Sequence, residues 1–271
     1  WIGERVAQDG EGELPPEWNS NKTLLISALP FAITLGILPY VTKLEKFLLA
    51  GMTSYSEVSI YHVAQLAWIA GLMLPQAMRA ALLPYLGEVR DEPEKFASRM
   101  GTAHHWTLAI LPLGLLAGHL IVSFSVPRLF DSDYSQAVEV FDILLAGWAM
   151  TLLAVPWYVA LQAGHNPWRF TAMITLVVIV AAITGWLLIP ESGVMGAAWA
   201  SVIGCSIMLS VSKLLCGDEN KLTDGLAVFC VATCYLLSIG SPLAIMGVLT
   251  MIPAWNSIDY LRSQTHNSEE E

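Results

Sequence analysis

The feature that most limits the fold of this chain is an uncharged run of 19 residues at 24–42, followed by a charged corner and a second apolar run from residue 58. An α-helix rises ~1.5 Å per residue and the hydrocarbon core of a bilayer is ~30 Å thick, so about 20 apolar residues suffice to cross it. Because lipid offers no hydrogen-bond partner to backbone N–H and C=O groups, such runs must be helical. The sequence therefore predicts two membrane-spanning helices joined at a corner that contains Lys43, Glu45 and Lys46.

The same pattern recurs along the chain and predicts an all-α, polytopic membrane bundle of about eight transmembrane helices. The predicted spans are 24–42, 58–86, 106–126, 143–163, 170–189, 193–212, 225–240 and 242–258. The remaining segments are interpreted as an acidic cytoplasmic tail or loop at 1–22 and an acidic cytoplasmic tail at 261–271. Pro75 and Pro84 predict kinks in the second span, and Pro93 predicts the start of a short helix along the membrane surface.

Composition and motifs exclude several classes of protein. Only 13% of the residues are charged, against roughly 25% in a soluble protein. The net charge of −10 argues against a nucleic-acid partner, which requires a basic face. The sequence contains no zinc-type cysteine spacing, Walker A loop, G-x-S-x-G or H-E-x-x-H motif. We therefore expect a protein that is not an enzyme and has no catalytic residues, metal or cofactor.

The distribution of Lys and Arg predicts the orientation in the membrane. With the N-terminus in the cytoplasm, ten of the 13 Lys and Arg residues lie at or near the inner face, and only Lys43, Lys46 and Arg128 lie near the outer face. This pattern predicts a multi-pass protein of the cytoplasmic membrane with both termini cytoplasmic. Since the chain begins with Trp1 and lacks a signal peptide, we also expect a fragment whose N-terminal part is missing.

Four passages together resemble the polysaccharide (O-antigen-type) flippases of the multidrug/oligosaccharidyl-lipid/polysaccharide exporter superfamily. The first is KLEKFLLA at 43–50 with EVSIY at 57–61, where Ser59 stands in place of the usual Gly, and the second is LLPYL at 82–86. The third runs from LF at 129–130 through YSQA at 134–137 to IL at 143–144. The fourth is LQAG at 161–164 with IPESGVMGAAWA at 189–200. The passages are in the family's order and spacing.

The resemblance implies a fold, a cargo and a partner. Residues 23–216 would be the second six-helix bundle of a flippase, 217–260 its two additional transmembrane helices, and the first six-helix half would be the missing N-terminal partner. The protein would move a lipid-linked oligosaccharide across the bilayer by alternating access between the two halves.

Ionisable residues at membrane depth are the candidates for contact with the anionic head group of such a cargo. Lys43 and Lys46 lie at i and i+3 on one helix face, and Glu45 lies about 100° around the helix from this face. Two ammonium groups can hold a pyrophosphate as point charges, but they can also snorkel to the outer interface. Arg79 can contact a head group on the inner side or snorkel there. We predict a water-accessible, cationic cleft lined by the first and second spans.

Three further residues are candidates for ion or proton coupling. His119 lies past the middle of the third span, where a proton-transfer role and a neutral packing role are both open. Glu139 and Asp142 are one turn apart at the start of the fourth span, either as a cation site or as an outer-interface carboxylate pair. Five aromatic residues are candidates for stacking on sugar rings, although interfacial belts and packing also explain them: Tyr61, Trp68, Trp148, Trp157 and Tyr158.

Three other functions stay open alongside the flippase. The first is an ion-coupled drug or toxin antiporter of the same superfamily. The second is a membrane-embedded transferase that uses His104, His105 or His119 as a base, and it requires a polar cluster in one loop. The third is a structural membrane subunit, which would lack a polar central cavity.

Overall fold

The computed structural model describes residues 21–130, 132–164, 166–217 and 251–269, and every regular element in these ranges is helical. Four segments are long and apolar enough to cross a membrane, which indicates a multi-pass membrane protein. The predicted all-helical membrane bundle is confirmed at this level, whereas the count of about eight spans stays a prediction. The helices are α1 Asn21–Ile37, α2 Leu44–Met52, α3 Tyr55–Gly71, α4 Met73–Gly87, α5 Pro93–Leu129, α6 Gln136–Ala163, α7 Pro167–Cys216 and α8 Met251–Glu269.

The first predicted span is a broken helix. α1 passes into a short 3₁₀ segment, Leu38–Val41, and α2 begins after Lys43. Pro39 lies at the start of the 3₁₀ segment and has no N–H to continue the α-helical hydrogen bonding. Gln65 of α3 donates a hydrogen bond to the carbonyl of Thr42 at 2.5 Å, so the break is stabilised from a neighbouring helix.

The second predicted span, 58–86, is formed by α3 and α4 with a break at Leu72. Ser54 caps α3 by accepting a hydrogen bond from the backbone N–H of Glu57. The two helices together cover Tyr55–Gly87, 33 residues, which is enough to cross a bilayer. Leu72, three residues before the kink predicted at Pro75, is the single residue between the two helices and keeps α-helical backbone angles (φ −66°, ψ −13°). α4 continues through Pro84, where the second kink is predicted.

α5 is longer than the predicted third span. It runs without interruption over Pro93–Leu129, 37 residues, and Pro93 occupies its first turn as predicted. The expected separate surface helix is thus the first part of α5. The prediction separated this part from the third span because its charged and polar residues interrupt the apolar pattern, although Phe96 and Met100 pack against the apolar core.

The predicted hairpin between the fifth and sixth spans is confirmed by the course of α7. Gly193 has φ 54° and ψ −129°, so the chain reverses there into two arms. The arms are antiparallel, because a Cβ atom on Gly185 would lie 3.8 Å from Cβ of Ala200 and one on Gly204 would lie 3.4 Å from Cβ of Ala181. The turn comes at 193, as the proline and small residues around it predict.

The bundle has two ends, which we call the Gly193 end and the Gly217 end. Thr53, Gln136 and Gly193 line one pocket at the Gly193 end. At the Gly217 end, Nη1 of Arg169 donates a hydrogen bond to the carbonyl of Leu215. Between residues 21 and 217 the described chain passes six times between these ends. α6 is the central pass, since every residue from 140 to 150 is buried.

The end of the chain is described only in part. The predicted seventh span, 225–240, lies outside the described residues, and only 251–258 of the predicted eighth span falls within α8. Residues 261–269, predicted as tail, continue this helix. α8 packs on α5 through His105, whose Nδ1 lies 3.1 Å from Oγ of Ser257 and whose ring centroid lies 4.2 Å from that of Tyr260.

Candidate transport cavity

A cavity of about 440 Å³ lies between the broken first span, the α3–α4 pair, α6 and α7. Most of its wall is apolar, and the break in the first span contributes Leu38, Pro39, Val41 and Thr42. Further polar side chains reach the wall from α4, α6 and α7: Gln76, Arg79, Thr151, Tyr158, Gln162 and Cys205. A largely apolar cavity with a few convergent polar groups is typical of a ligand site.

Arg79 is the cationic side chain on the wall of this cavity in the described part of the chain. Its Nε donates to Oε1 of Gln162 at 3.0 Å, and its Nη1 donates to Oε1 of Gln76 at 3.5 Å. Among the described residues, no carboxylate forms an ion pair with Arg79. Two neutral amides therefore orient the guanidinium without neutralising its charge, so an anion can still bind it.

A second cavity of about 220 Å³ adjoins the first on the side of α1. Leu35, Leu38, Arg79, Gln162 and Phe170 line both cavities. The rest of its wall comes from α1, α4 and the beginning of α7, and it includes Phe31, Thr34, Leu83 and Thr171. Arg79 thus stands between a central space and an apolar space that extends towards the periphery of the bundle.

The predicted lysine pair lies outside both cavities. Lys43 is exposed immediately before α2, and Nζ of Lys46 lies 2.9 Å from Nδ1 of His62. The expected space between the first and second spans is present, but Arg79 provides the positive charge on its wall and α6 and α7 complete it. Lys43, Lys46 and Arg79 were all sequence candidates for the head-group contact, and of these three Arg79 alone lies on the cavity wall.

Glu45 lies on the face of α2 that is turned into the bundle. It is only 2% exposed, and it is close enough to buried Tyr61 and Cys205 to interact with them electrostatically. No Lys, Arg or His in the described ranges forms an ion pair with it. A buried acidic residue without a cation at membrane depth is costly, and such residues mark functional sites.

His119 and Asp142 form a pair that joins α5 to α6. Nδ1 of His119 lies 2.8 Å from Oδ1 of Asp142, and the two side chains are 32% and 8% exposed. Glu139, one turn before Asp142, is exposed at the Gly193 end. The structure therefore brings together His119 and Asp142, which the sequence could only name separately.

Of the five aromatic candidates for sugar stacking, Trp68 and Tyr158 line the central cavity, and the other three pack elsewhere. Trp157 packs against His104 with ring centroids 4.6 Å apart. Gln76 and Gln162 are site residues that the sequence reasoning missed. A signal for them existed, since an amide side chain within an apolar span requires a buried polar partner.

Comparison of the chain with protein-family models, with curated proteins and with solved structures found no match.

Proposed function

We propose that this chain is part of a membrane transporter that moves a lipid-linked oligosaccharide across the cytoplasmic membrane by alternating access. The observation that carries the proposal is the guanidinium of Arg79, oriented by Gln162 and Gln76 on the wall of a cavity between crossing helices. A cation held this way suits the phosphate groups of such a cargo.

The other surroundings of Arg79 suit the rest of an amphiphilic cargo. The amides of Gln76 and Gln162 and the hydroxyl of Tyr158 can hydrogen-bond sugar hydroxyls, and Trp68, which is only 4% exposed, contributes to the apolar wall. The adjoining apolar space beside Phe31 and Leu83 suits a hydrocarbon chain. The break in the first span is consistent with transport, because discontinuous helices form the substrate sites of many transporters.

The test is export of surface glycan by cells that carry Arg79→Gln. We expect export to fall at least about tenfold, equivalent to ~1.4 kcal/mol of binding, because glutamine keeps a polar side chain but lacks the positive charge. Arg79→Lys should retain part of the export. Lys95→Gln is the matched control, since Lys95 is exposed and, within the described ranges, forms an ion pair with Glu92 alone. Normal export by Arg79→Gln at normal expression would reject the head-group role.

The lysine pair is tested in the same assay. Lys43→Ala combined with Lys46→Ala should lower export less than Arg79→Gln does, because neither lysine lines the cavities. A larger loss in the lysine variant would move the head-group site to the outer end of the first span.

The second candidate function is an ion-coupled antiporter of the same superfamily, and the buried acidic residues favour it. Glu45 and the His119–Asp142 pair can each exchange a proton or a cation between two states. Asp142→Asn should then abolish drug efflux driven by a pH gradient and leave binding of the drug unchanged. If neither Asp142→Asn nor Glu45→Gln changed the efflux, coupling through either site would be excluded.

A membrane-embedded transferase remains the third class. His104 packs on Trp157 and His105 contacts Ser257 and Tyr260, so both side chains support helix contacts at the Gly217 end. These contacts favour transport over a role for either histidine as a base.

A further inference from the structure

The carbonyl of Gly71 lacks its usual helical hydrogen bond. In an α-helix this carbonyl would accept from the N–H four residues later, which is Pro75, and proline has no N–H. Gly71 is the last residue of α3, and α4 begins at Met73. Within a membrane protein such a carbonyl needs another donor, because lipid supplies none.

Trp148 of α6 supplies that donor. Its Nε1 donates to the carbonyl of Gly71 at 2.8 Å, and the residue is only 4% exposed. The indole fits between two glycines: a Cβ atom on Gly71 would lie 3.3 Å from Cδ1 and Nε1 of the ring, and one on Gly114 of α5 would overlap the ring. Three helices therefore meet at this side chain.

We call the hydrogen bond between Trp148 and the carbonyl of Gly71 the joint. It lies directly before α4, the helix that carries Arg79. Gln76 follows Leu72 by one helical turn and Arg79 by two, so the direction in which α4 leaves the break determines where both side chains lie. We propose that Trp148 is a positioning residue, which replaces the missing N–H of Pro75 and fixes the angle at which α4 brings Arg79 to the cavity. Release of this single hydrogen bond lets α4 change direction without unfolding.

The expected effect of Trp148 on transport of the cargo rests on the proposed function, whereas its hydrogen bond to Gly71 and its role in positioning α4 do not. Phenylalanine keeps one aromatic ring but loses both the N–H and the second ring, so Trp148→Phe by itself changes the hydrogen bond and the packing together. A residue that acts through its N–H should become dispensable once the helix has its own donor. Pro75→Ala provides that donor, so the two roles give opposite results in the double variant.

The experiment is hydrogen–deuterium exchange of the α4 amides in the purified full-length protein, with the arms of α7 as an internal reference. Trp148→Phe should speed exchange in α4 at least about threefold and leave α7 unchanged. Pro75→Ala alone should leave α4 protected, and Pro75→Ala with Trp148→Phe should match Pro75→Ala. Unchanged exchange in Trp148→Phe would overturn the proposal, and so would a double variant as fast as Trp148→Phe.

A glycine pair checks the joint without changing either hydrogen-bonding partner. Gly114→Ala should displace the indole and speed exchange in α4, whereas Gly101→Ala on the same helix should not, since nothing lies within 4 Å of a Cβ atom there. Equal exchange in the two variants would count against the joint.

Surface-glycan export in the same variants tests the link to Arg79. Export should fall in Trp148→Phe and recover in the double variant, whereas normal export in Trp148→Phe with fast α4 exchange would overturn the positioning role. If cells that carry Arg79→Gln export glycan normally, the proposed function is rejected. The hydrogen–deuterium exchange of α4 then still tests the role of the Trp148 hydrogen bond.

Discussion

Gln65 shows how one side chain stabilises an irregular stretch of backbone. It is 4% exposed and donates to the carbonyl of Thr42 at the point where the first span is broken. We expect Gln65→Leu to destabilise the protein by about 1–3 kcal/mol, because it leaves a carbonyl without a partner at the break. The measurement is the midpoint of thermal unfolding in detergent.

Gln76→Leu is the control for this prediction. Gln76 is exposed to the cavity, and in the part of the chain that the structure describes its side chain makes one long hydrogen bond, to Arg79. The same chemical change there should shift the unfolding midpoint little. Equal shifts in the two variants would show that the loss of an amide, and not the break in the first span, determines the effect.

At the scale of single residues, the sequence indicated which ionisable residues lie within the apolar runs, but not which residues they contact. Glu45, Arg79, His119 and Asp142 were recognised because charge within an apolar run is rare. Their partners could not be read, since Gln162 lies 83 residues from Arg79 and Asp142 lies 23 residues from His119. Pairing of this kind depends on which helix faces meet, and the apolar runs here are too uniform to give each helix a distinct polar face.

Among the elements, the two arms of α7 depend on one glycine. Gly193 has a backbone conformation that side-chain-bearing residues rarely adopt, and a Cβ atom would overlap the carboxylate of Glu57. We expect Gly193→Ala to cost about 1–3 kcal/mol in stability, measured by thermal unfolding in detergent. Gly51→Ala is the control, because nothing lies within 4 Å of a Cβ atom there and alanine favours the α2 helix.

The elements also show where sequence reasoning succeeds and where it fails. The turn at Gly193 was predictable, because Pro190 and the small residues after it interrupt a long apolar run. The continuity of α5 was not predictable, because residues 93–105 are largely polar and give no hydrophobic signal that joins them to the apolar run after them. The breaks at Leu38–Val41 and Leu72 have prolines near them, Pro39 inside the first and Pro75 three residues after the second. The side chains that hydrogen-bond the backbone there, Gln65 and Trp148, belong to other helices.

For the whole molecule, the two ends of the bundle predict which positions share a side of the membrane. In a background without the four native cysteines, single cysteines at Ser56 and Ser192 should react with an impermeant thiol reagent from one side. Cysteines at Arg90 and Glu94 should react from the other, which the positive residues predict to be the cytoplasm. Labelling of Ser56→Cys and Arg90→Cys from the same side would contradict the passage of α3 and α4 through the bilayer.

The burial of α6 has a consequence for biogenesis. During insertion this helix is apolar enough to enter lipid by itself, yet in the finished protein almost none of its surface meets acyl chains. α7 covers much of α6 and is synthesised after it. A nascent polypeptide that stops at Ala163 would therefore leave a lipid-soluble but unpartnered helix, and membrane quality control should degrade it faster than one that extends past Cys216.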